Sequence, residues 1–197
     1  MALNFEDVAT ANLEKEMYEA LVAADTDKVN YHSYEIIYGK LFEYPEEVSD
    51  ILEVGIHLGA SLRGWTNFFK NANVIGLDNN RDRFITEDRI TSMYVDQMDR
   101  NSFDLLKELL GDKRFQFIVD DGCHEVNATI STFYDLIPLL KLDGWYIVED
   151  IRKVDVPRWE EVQSSLSDNY KSFLIDLNHV SKTNYEDNIV FAVKRTA

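Results

Sequence analysis

The chain has 197 residues, 45% of them apolar, with a formal net charge of −16 and a single cysteine, Cys123. This implies one globular domain with a sizeable core rather than a disordered chain, disfavours a general nucleic-acid binder because phosphates would be repelled, and excludes an intrachain disulfide. No apolar run reaches membrane-spanning length, and the first residues lack a basic-then-apolar leader pattern, so a cytoplasmic protein without a membrane segment is expected.

In chain order, residues 5–23 carry helical periodicity, with Phe5, Val8, Leu13, Met17 and Leu21 apolar among charged neighbours. A second helix is expected over 31–43. The pattern then changes to short apolar runs at 50–56, 73–78, 90–96, 115–120 and 144–150. Helix-like stretches lie between them, in SLRGWTNFFK, SFDLLKELLG and VNATISTFYDLIPLLK. Strand alternating with helix predicts parallel β-α-β units, and non-alternating Val, Ile and Leu runs suit strands covered on both faces. KSFLIDLN and DNIVFAVKR, joined by a polar loop, predict an antiparallel pair at the sheet edge. The fold class expected is α/β, a mostly parallel sheet with an antiparallel C-terminal edge and helices on both faces. It forms one domain, with a helical cap over 1–45 and the sheet core over 46–197.

In open α/β sheets ligands bind beyond the carboxyl ends of the strands, so the residues after each strand matter most. After the first strand comes LEVGIHLGAS, where Gly55 and Gly59 allow a tight turn and a close approach of backbone to ligand, with Ser61 closing the turn. This is G-x-x-x-G, not the dinucleotide G-x-G-x-x-G. Asp78 after the second strand can accept from ribose hydroxyls. Asp96-Gln97 after the third suits an adenine edge or a ribose. The ordered set points to a nucleoside-type cofactor. Taken singly, each is also a plain turn or a helix cap.

The E-x-G-x-x-x-G turn of Glu53, Gly55 and Gly59, followed by Asp78, resembles class I S-adenosylmethionine-dependent methyltransferases. TDKVNYHSYEIIYGKLF, LEVGIHLGASLRGWTNFF, VIGLDNN, VDQ, FIVDDGCHE, LLKLDGWYIVEDI and DNIVFAVKR occur in the order seen in metal-dependent sugar O-methyltransferases of the macrocin and mycinamicin type. Cephalosporin-hydroxylase-like proteins are relatives of these. The similarity spans residues 25–194. It implies a Rossmann-like sheet, S-adenosylmethionine as cofactor, and a small-molecule hydroxyl acceptor. It also implies that the YHSY segment covers the cofactor, with Lys28 and Tyr34 contributing. The chain departs from the family at Ala60 and Val95, where glycine is common, and at Cys123, where serine is usual. The macrolide enzymes carry an additional N-terminal region with no counterpart here, and IRKVDVPRWEEV is brief for a segment covering the acceptor.

The fourth and fifth strands both end in acids, Asp120-Asp121 and Glu149-Asp150. Side by side on one rim, Asp121, Glu149 and Asp150 would repel one another unless a cation joined them. Oxygen ligands favour Mg²⁺, Mn²⁺ or Ca²⁺ over Zn²⁺. His124 falls where the next helix should start, and the helix dipole there favours neutral imidazole, able to act as general base. The resemblance implies the same roles: Asp121, Glu149 and Asp150 as metal ligands, His124 as base, and Asp120 toward the cofactor. The alternatives are a turn with an N-cap at Asp120-Asp121, a capping His124 and an exposed Glu149-Asp150 pair. His57 lines the cofactor loop, His32 packs structurally, and His179 is a surface residue. The function expected is Mg²⁺-assisted O-methylation of a sugar or similar polyol. A catechol-type acceptor, or a cofactor-binding protein without transfer activity, stands as the alternative, and self-association into a homo-oligomer is compatible with either.

Overall fold

The computed structural model describes residues 8–184 and 186–197; Phe5, part of the first expected helix, lies outside them. Helix α1 (Val8–Ala23) is followed by a single turn α2 (Asp27–Asn30), α3 (Glu35–Leu41), β1 (Asp50–Val54), α4 (Ala60–Phe68), β2 (Asn73–Asp78), β3 (Ile90–Tyr94), α5 (Arg100–Leu110), β4 (Phe115–Asp120), α6 (Val126–Leu136), β5 (Leu140–Ile151), α7 (Val156–Ser165), β6 (Tyr170–Asp176) and β7 (Ile189–Arg195). The strands form one sheet in the order β3-β2-β1-β4-β5-β7-β6. Strands β1 to β5 pair in parallel; β7 is antiparallel to both β5 and β6. The order reverses between β1 and β4, which opens a crevice at the carboxyl ends of those strands.

Strand alternation divides the core into two layers. Ile51, Phe117, Val119 and Ile147 face α1, α3 and α4, packing with Met17, Leu21, Tyr38 and Trp65. Leu52, Val54, Ile118, Tyr146 and Val148 face α5, α6 and α7, packing with Phe103, Phe133 and Trp159. Phe117 sits at the centre of the first layer, with Tyr38, Phe42 and Trp65 edge-on to its ring at 5.1–5.6 Å. Helix α5 starts at Asp99, whose carboxylate accepts from Asn101 N, and stops at Gly111, φ 54°.

The expected strands at 73–78 and 115–120 agree with β2 and β4 residue for residue. Three features differ from expectation. The helix expected over 31–43 is shorter, because residues 31–34 leave the helical path. Tyr31 O accepts from Lys182 N, and the Ser33 hydroxyl donates to Val180 O. Strand β5 starts four residues early, at Leu140. The segment considered as an acceptor cover becomes, from Val156, helix α7, whose Trp159 is buried against Phe133 and Phe191.

At the opposite end of the sheet, Asp50 receives the Lys113 ammonium, the Ser49 hydroxyl at 2.6 Å and Lys141 Nζ at 2.9 Å. Burial alone would raise its pKa, but the bonds from Lys113, Ser49 and Lys141 outweigh that and hold it down to about 2. A lowered folded-state value contributes stability above the unfolded carboxyl range, lost as pH falls toward 2. Allowing for the partly exposed lysines, Asp50→Asn should cost about 1–2 kcal/mol at pH 7, shrinking between pH 4 and pH 2. Urea titrations at several pH values test this, and equal midpoints at pH 7 would refute it.

Candidate active site

A cleft of about 370 Å³ opens over the carboxyl ends of β1 to β5, within the size range of small-ligand pockets. The β1 loop lines it with Gly55, Ile56, His57, Leu58 and Ser61. Other loops add Asp78 after β2, Asp96, Gln97 and Met98 after β3, Asp121, Gly122, Cys123 and His124 after β4, and Asp150 after β5. Gly55 has φ 93°, and a Cβ there would stand 2.1 Å from Asp121 O, so only glycine lets the β1 and β4 loops pass this closely. Gly59, at φ 75°, caps α4.

Asp78 is buried and accepts from Ile56 N at 3.0 Å and Asn80 N at 2.8 Å, one bond to each oxygen. Each oxygen keeps a lone pair for a ligand hydroxyl. Asp96 accepts from Met98 N through one oxygen. The Gln97 side chain is tied to the β4 loop: its amide nitrogen donates to Asp120 at 3.0 Å and to the Thr132 hydroxyl, while its oxygen accepts from Cys123 N at 2.7 Å. Gly122 leaves room for that oxygen, since a Cβ would lie 1.9 Å from it. Gln97 and Asp120 thus brace the β4 loop from behind. Asp120, expected on the cofactor side, is buried beneath the lining, and burial pushes its pKa up to about 7.

Glu53, Asp121 and Glu149 project from the same face of β1, β4 and β5. Glu53 pairs in register with Val119, and Val119 with Ile147, so Asp121 and Glu149 stand one layer above Glu53. Lys28 enters this acidic layer from α2. Its ammonium, fully buried, bonds to Glu149, to Asp121 at 2.7 Å, and lies 3.3 Å from Glu53. Burial opposes its charge, but Asp121, Glu149 and Glu53 together raise its pKa well above the usual lysine value. Asp121 is correspondingly lowered: burial works against its charge, and Lys28 outweighs it. Burial raises Glu149 well above, and Glu53 to about 7, in spite of Lys28. The other Glu149 oxygen takes the Tyr38 hydroxyl, and Glu53 takes Trp65 Nε1 at 2.7 Å.

This placement differs from the expected one at several residues besides Asp120. Glu149, expected beside Asp121 and Asp150 as a third ligand, is turned inward by strand alternation and held by Lys28 and Tyr38. Lys28 and Glu53, expected on the cofactor, do not reach the cleft; Thr26 and Asp27, just before Lys28, line it instead. Tyr34 is also buried, with its hydroxyl 2.5 Å from Asp150 Oδ1.

The groups that do converge are Asp121, His124 and Asp150, each offering an atom within 4.8 Å of the others. His124 Nε2 lies 3.9 Å from Asp121 Oδ1 and 3.8 Å from Asp150 Oδ2, its side chain 40% exposed at the mouth. His124 and Asp150 both have left-handed backbones, φ 51° and 54°, and His57 does too. Strained residues of this kind persist where surrounding structure holds them and gather at functional sites. Helix α6 is capped by Glu125, which accepts from Ala128 N, so His124 is free of a capping duty. Tyr38 has no expected role in the sequence; its spacing of four from Tyr34 is the signal that points to it.

Residues 52–151 match the family described as a methyltransferase domain. Demethylmacrocin O-methyltransferase of Streptomyces fradiae is 34% identical over 116 residues, 55% of this chain and 29% of that protein. The 8-demethyl-8-alpha-L-rhamnosyl tetracenomycin-C 2'-O-methyltransferase of Streptomyces olivaceus is 26% identical over 155 residues, 75% of this chain and 40% of that protein. The chain therefore spans well under half the length of these curated relatives. The solved structure of MycE methyltransferase from the mycinamycin biosynthetic pathway, in complex with Mg, SAH and mycinamycin VI, shares the fold at TM-score 0.72. It is 22% identical, and the match covers 92% of this chain and 53% of that one. With half its length inside the matched segment, this chain belongs to the methyltransferase-domain family.

Proposed function

We propose that the protein is an S-adenosylmethionine-dependent O-methyltransferase that works with Mg²⁺ or Mn²⁺ and methylates a hydroxyl of a sugar or similar small polyol. The observation that carries this reading is the convergence of Asp121, Asp150 and His124 at one corner of the cleft formed by the β1 to β5 loops. The donor set fits a hard divalent ion. Glu53, Asp121 and Glu149 share one ammonium, Lys28, and Asp150 adds a further carboxylate beside Asp121. When bound, S-adenosylmethionine supplies the electrophilic methyl, and the cation orients the acceptor and lowers its hydroxyl pKa.

The chain's own residues then divide the work. Asp78 accepts from the ribose hydroxyls, and the β1 loop around Gly55 and Gly59, with Ser61, lets the backbone approach the ligand. Asp96 and Met98 flank the base. Asp121 and Asp150 would hold the cation. His124 Nε2 takes the acceptor's proton, and its exposed edge passes that proton to solvent. The acidic cleft favours a neutral polyol or the cationic cofactor over a nucleic acid. Sugar O-methyltransferases among the similar proteins support the acceptor class. Among the described residues no helix is long and apolar enough to cross a membrane, in keeping with a small-molecule acceptor met in the cytoplasm.

The test is a methyl-transfer screen with labelled cofactor against sugar and catechol panels, with and without EDTA. Transfer to a sugar hydroxyl is expected, abolished by EDTA and restored by Mg²⁺ or Mn²⁺. Asp121→Asn should lose both transfer and Mn²⁺ binding. Undiminished transfer in EDTA would remove the cation from the reading, and transfer to catechols alone would replace the acceptor class.

A further inference from the structure

Asp150 holds its place by an unusual arrangement. It follows a register break between Val148 and Ile151 in the β5–β7 pairing, and its backbone is left-handed. Asp tolerates that conformation better than most residues but does not favour it. One hydroxyl meets its backbone N–H and one of its carboxylate oxygens. Tyr34 OH donates to Asp150 Oδ1 at 2.5 Å and accepts from Asp150 N at 3.3 Å. The Tyr34 ring is in turn stacked on His32, centroids 4.8 Å apart and planes 13° apart. His32 Nδ1 is 2.5 Å from the side-chain oxygen of buried Asn188, which directly precedes β7, the strand that pairs with Ile151.

We infer that Tyr34 is a positioning residue for the cation site: its hydroxyl fixes Asp150 so that Oδ2 faces Asp121 and His124, with His32 and Asn188 holding the ring in place. This rests on the cation reading of the outer acidic pair. Oδ1 is taken by the phenol, so Asp150 presents one oxygen outward, 3.8 Å from His124 Nε2. Without the hydroxyl, Oδ1 and the Asp150 N–H lose their shared partner, and Oδ1 is left facing only the more distant His32 Nδ1, at 3.8 Å. The side chain can then rotate, and the backbone can relax from φ 54°.

The experiment uses the full chain and Mn²⁺ as probe, with free Mn²⁺ read by its EPR signal, on the wild type, Tyr34→Phe, His32→Ala and Asp121→Asn. Tyr34→Phe keeps the ring and its stack and should weaken Mn²⁺ binding by about 10- to 100-fold, the usual effect of removing a group that orients a ligand. Binding of SAH measured without metal should stay close to wild type, which a general structural defect would not allow. Should Tyr34→Phe fail to fold, His32→Ala decides: Mn²⁺ affinity lower by roughly threefold or more is expected. Wild-type Mn²⁺ affinity in the folded Tyr34→Phe, or in His32→Ala when it decides, with binding lost in Asp121→Asn, would overturn the positioning role and leave the cation site standing. No Mn²⁺ binding by the wild type would overturn both.

Discussion

Lys28→Met should destabilise the protein by about 3–5 kcal/mol at neutral pH, the usual cost of removing one partner from a buried charge cluster. Methionine matches the length of the lysine stem, so the loss is one of charge rather than volume. Three carboxylates, Glu53, Asp121 and Glu149, would be left in the interior with no ammonium. They respond by keeping protons: Glu53 and Glu149, already raised by burial, rise further, and Asp121 loses the ammonium that holds it down. A raised carboxyl pKa means the folded state binds more protons than the unfolded state between the two values, and stability then falls as pH rises through that window. The gap between wild type and variant should therefore widen from pH 5 to pH 8. Glu149→Gln in the Lys28→Met background should recover part of the loss, because the two sites share one interaction. Chemical denaturation at pH 5 and pH 8 checks this. A gap that is constant across pH, or no recovery in the double variant, would show that Lys28 acts by packing alone.

The same cluster shows what could be read from the sequence and what could not. The acids at 120–121 and 149–150 were visible because each closes an apolar run, and an apolar run in a covered parallel strand has no other reason to end in two charges. Strands β2 and β4 were bounded as sharply for the same reason. The direction of each carboxylate was not visible. Strand parity sends Glu149 inward with Ile147, and the register break after Val148 turns Asp150 outward against that parity. A bulge of this kind has no composition of its own. Lys28 was legible as part of a segment near the site, but a buried ammonium is rare enough that its burial needed the three-dimensional layer of acids to explain it. Helix α7 escaped because only Trp159 and Val162 carry its buried face, too few for a periodic signal. The β5 start at Leu140 was hidden by Asp143-Gly144, a pair that reads as a turn; here Asp143 has φ 61° within the strand.

His124→Asn should lower kcat by about 10²–10⁴-fold, the usual contribution of a positioned general base. Asparagine is the informative replacement. It tolerates the left-handed backbone at this position, φ 51° in the wild type, so the loop after β4 is not forced to move. It cannot take a proton at cellular pH. The geometry leaves two roles for the imidazole, because Nε2 lies nearly equidistant from Asp121 and Asp150, where it can face an acceptor or complete a ligand set. These roles separate on measurement. A base lost at the mouth leaves Mn²⁺ affinity within a few fold and lets added imidazole restore part of the rate, since the site is open to solvent on that side. A ligand lost takes cation affinity down with the rate, and free imidazole has no chain to hold it in the coordination shell. The exposure of the ring favours the first outcome: a ligand gains from being enclosed by its partners, whereas a base must meet the acceptor on one edge and water on the other. A collapse of Mn²⁺ affinity in His124→Asn without imidazole rescue would move His124 into the cation site and leave the proton without an acceptor among the three residues that converge there.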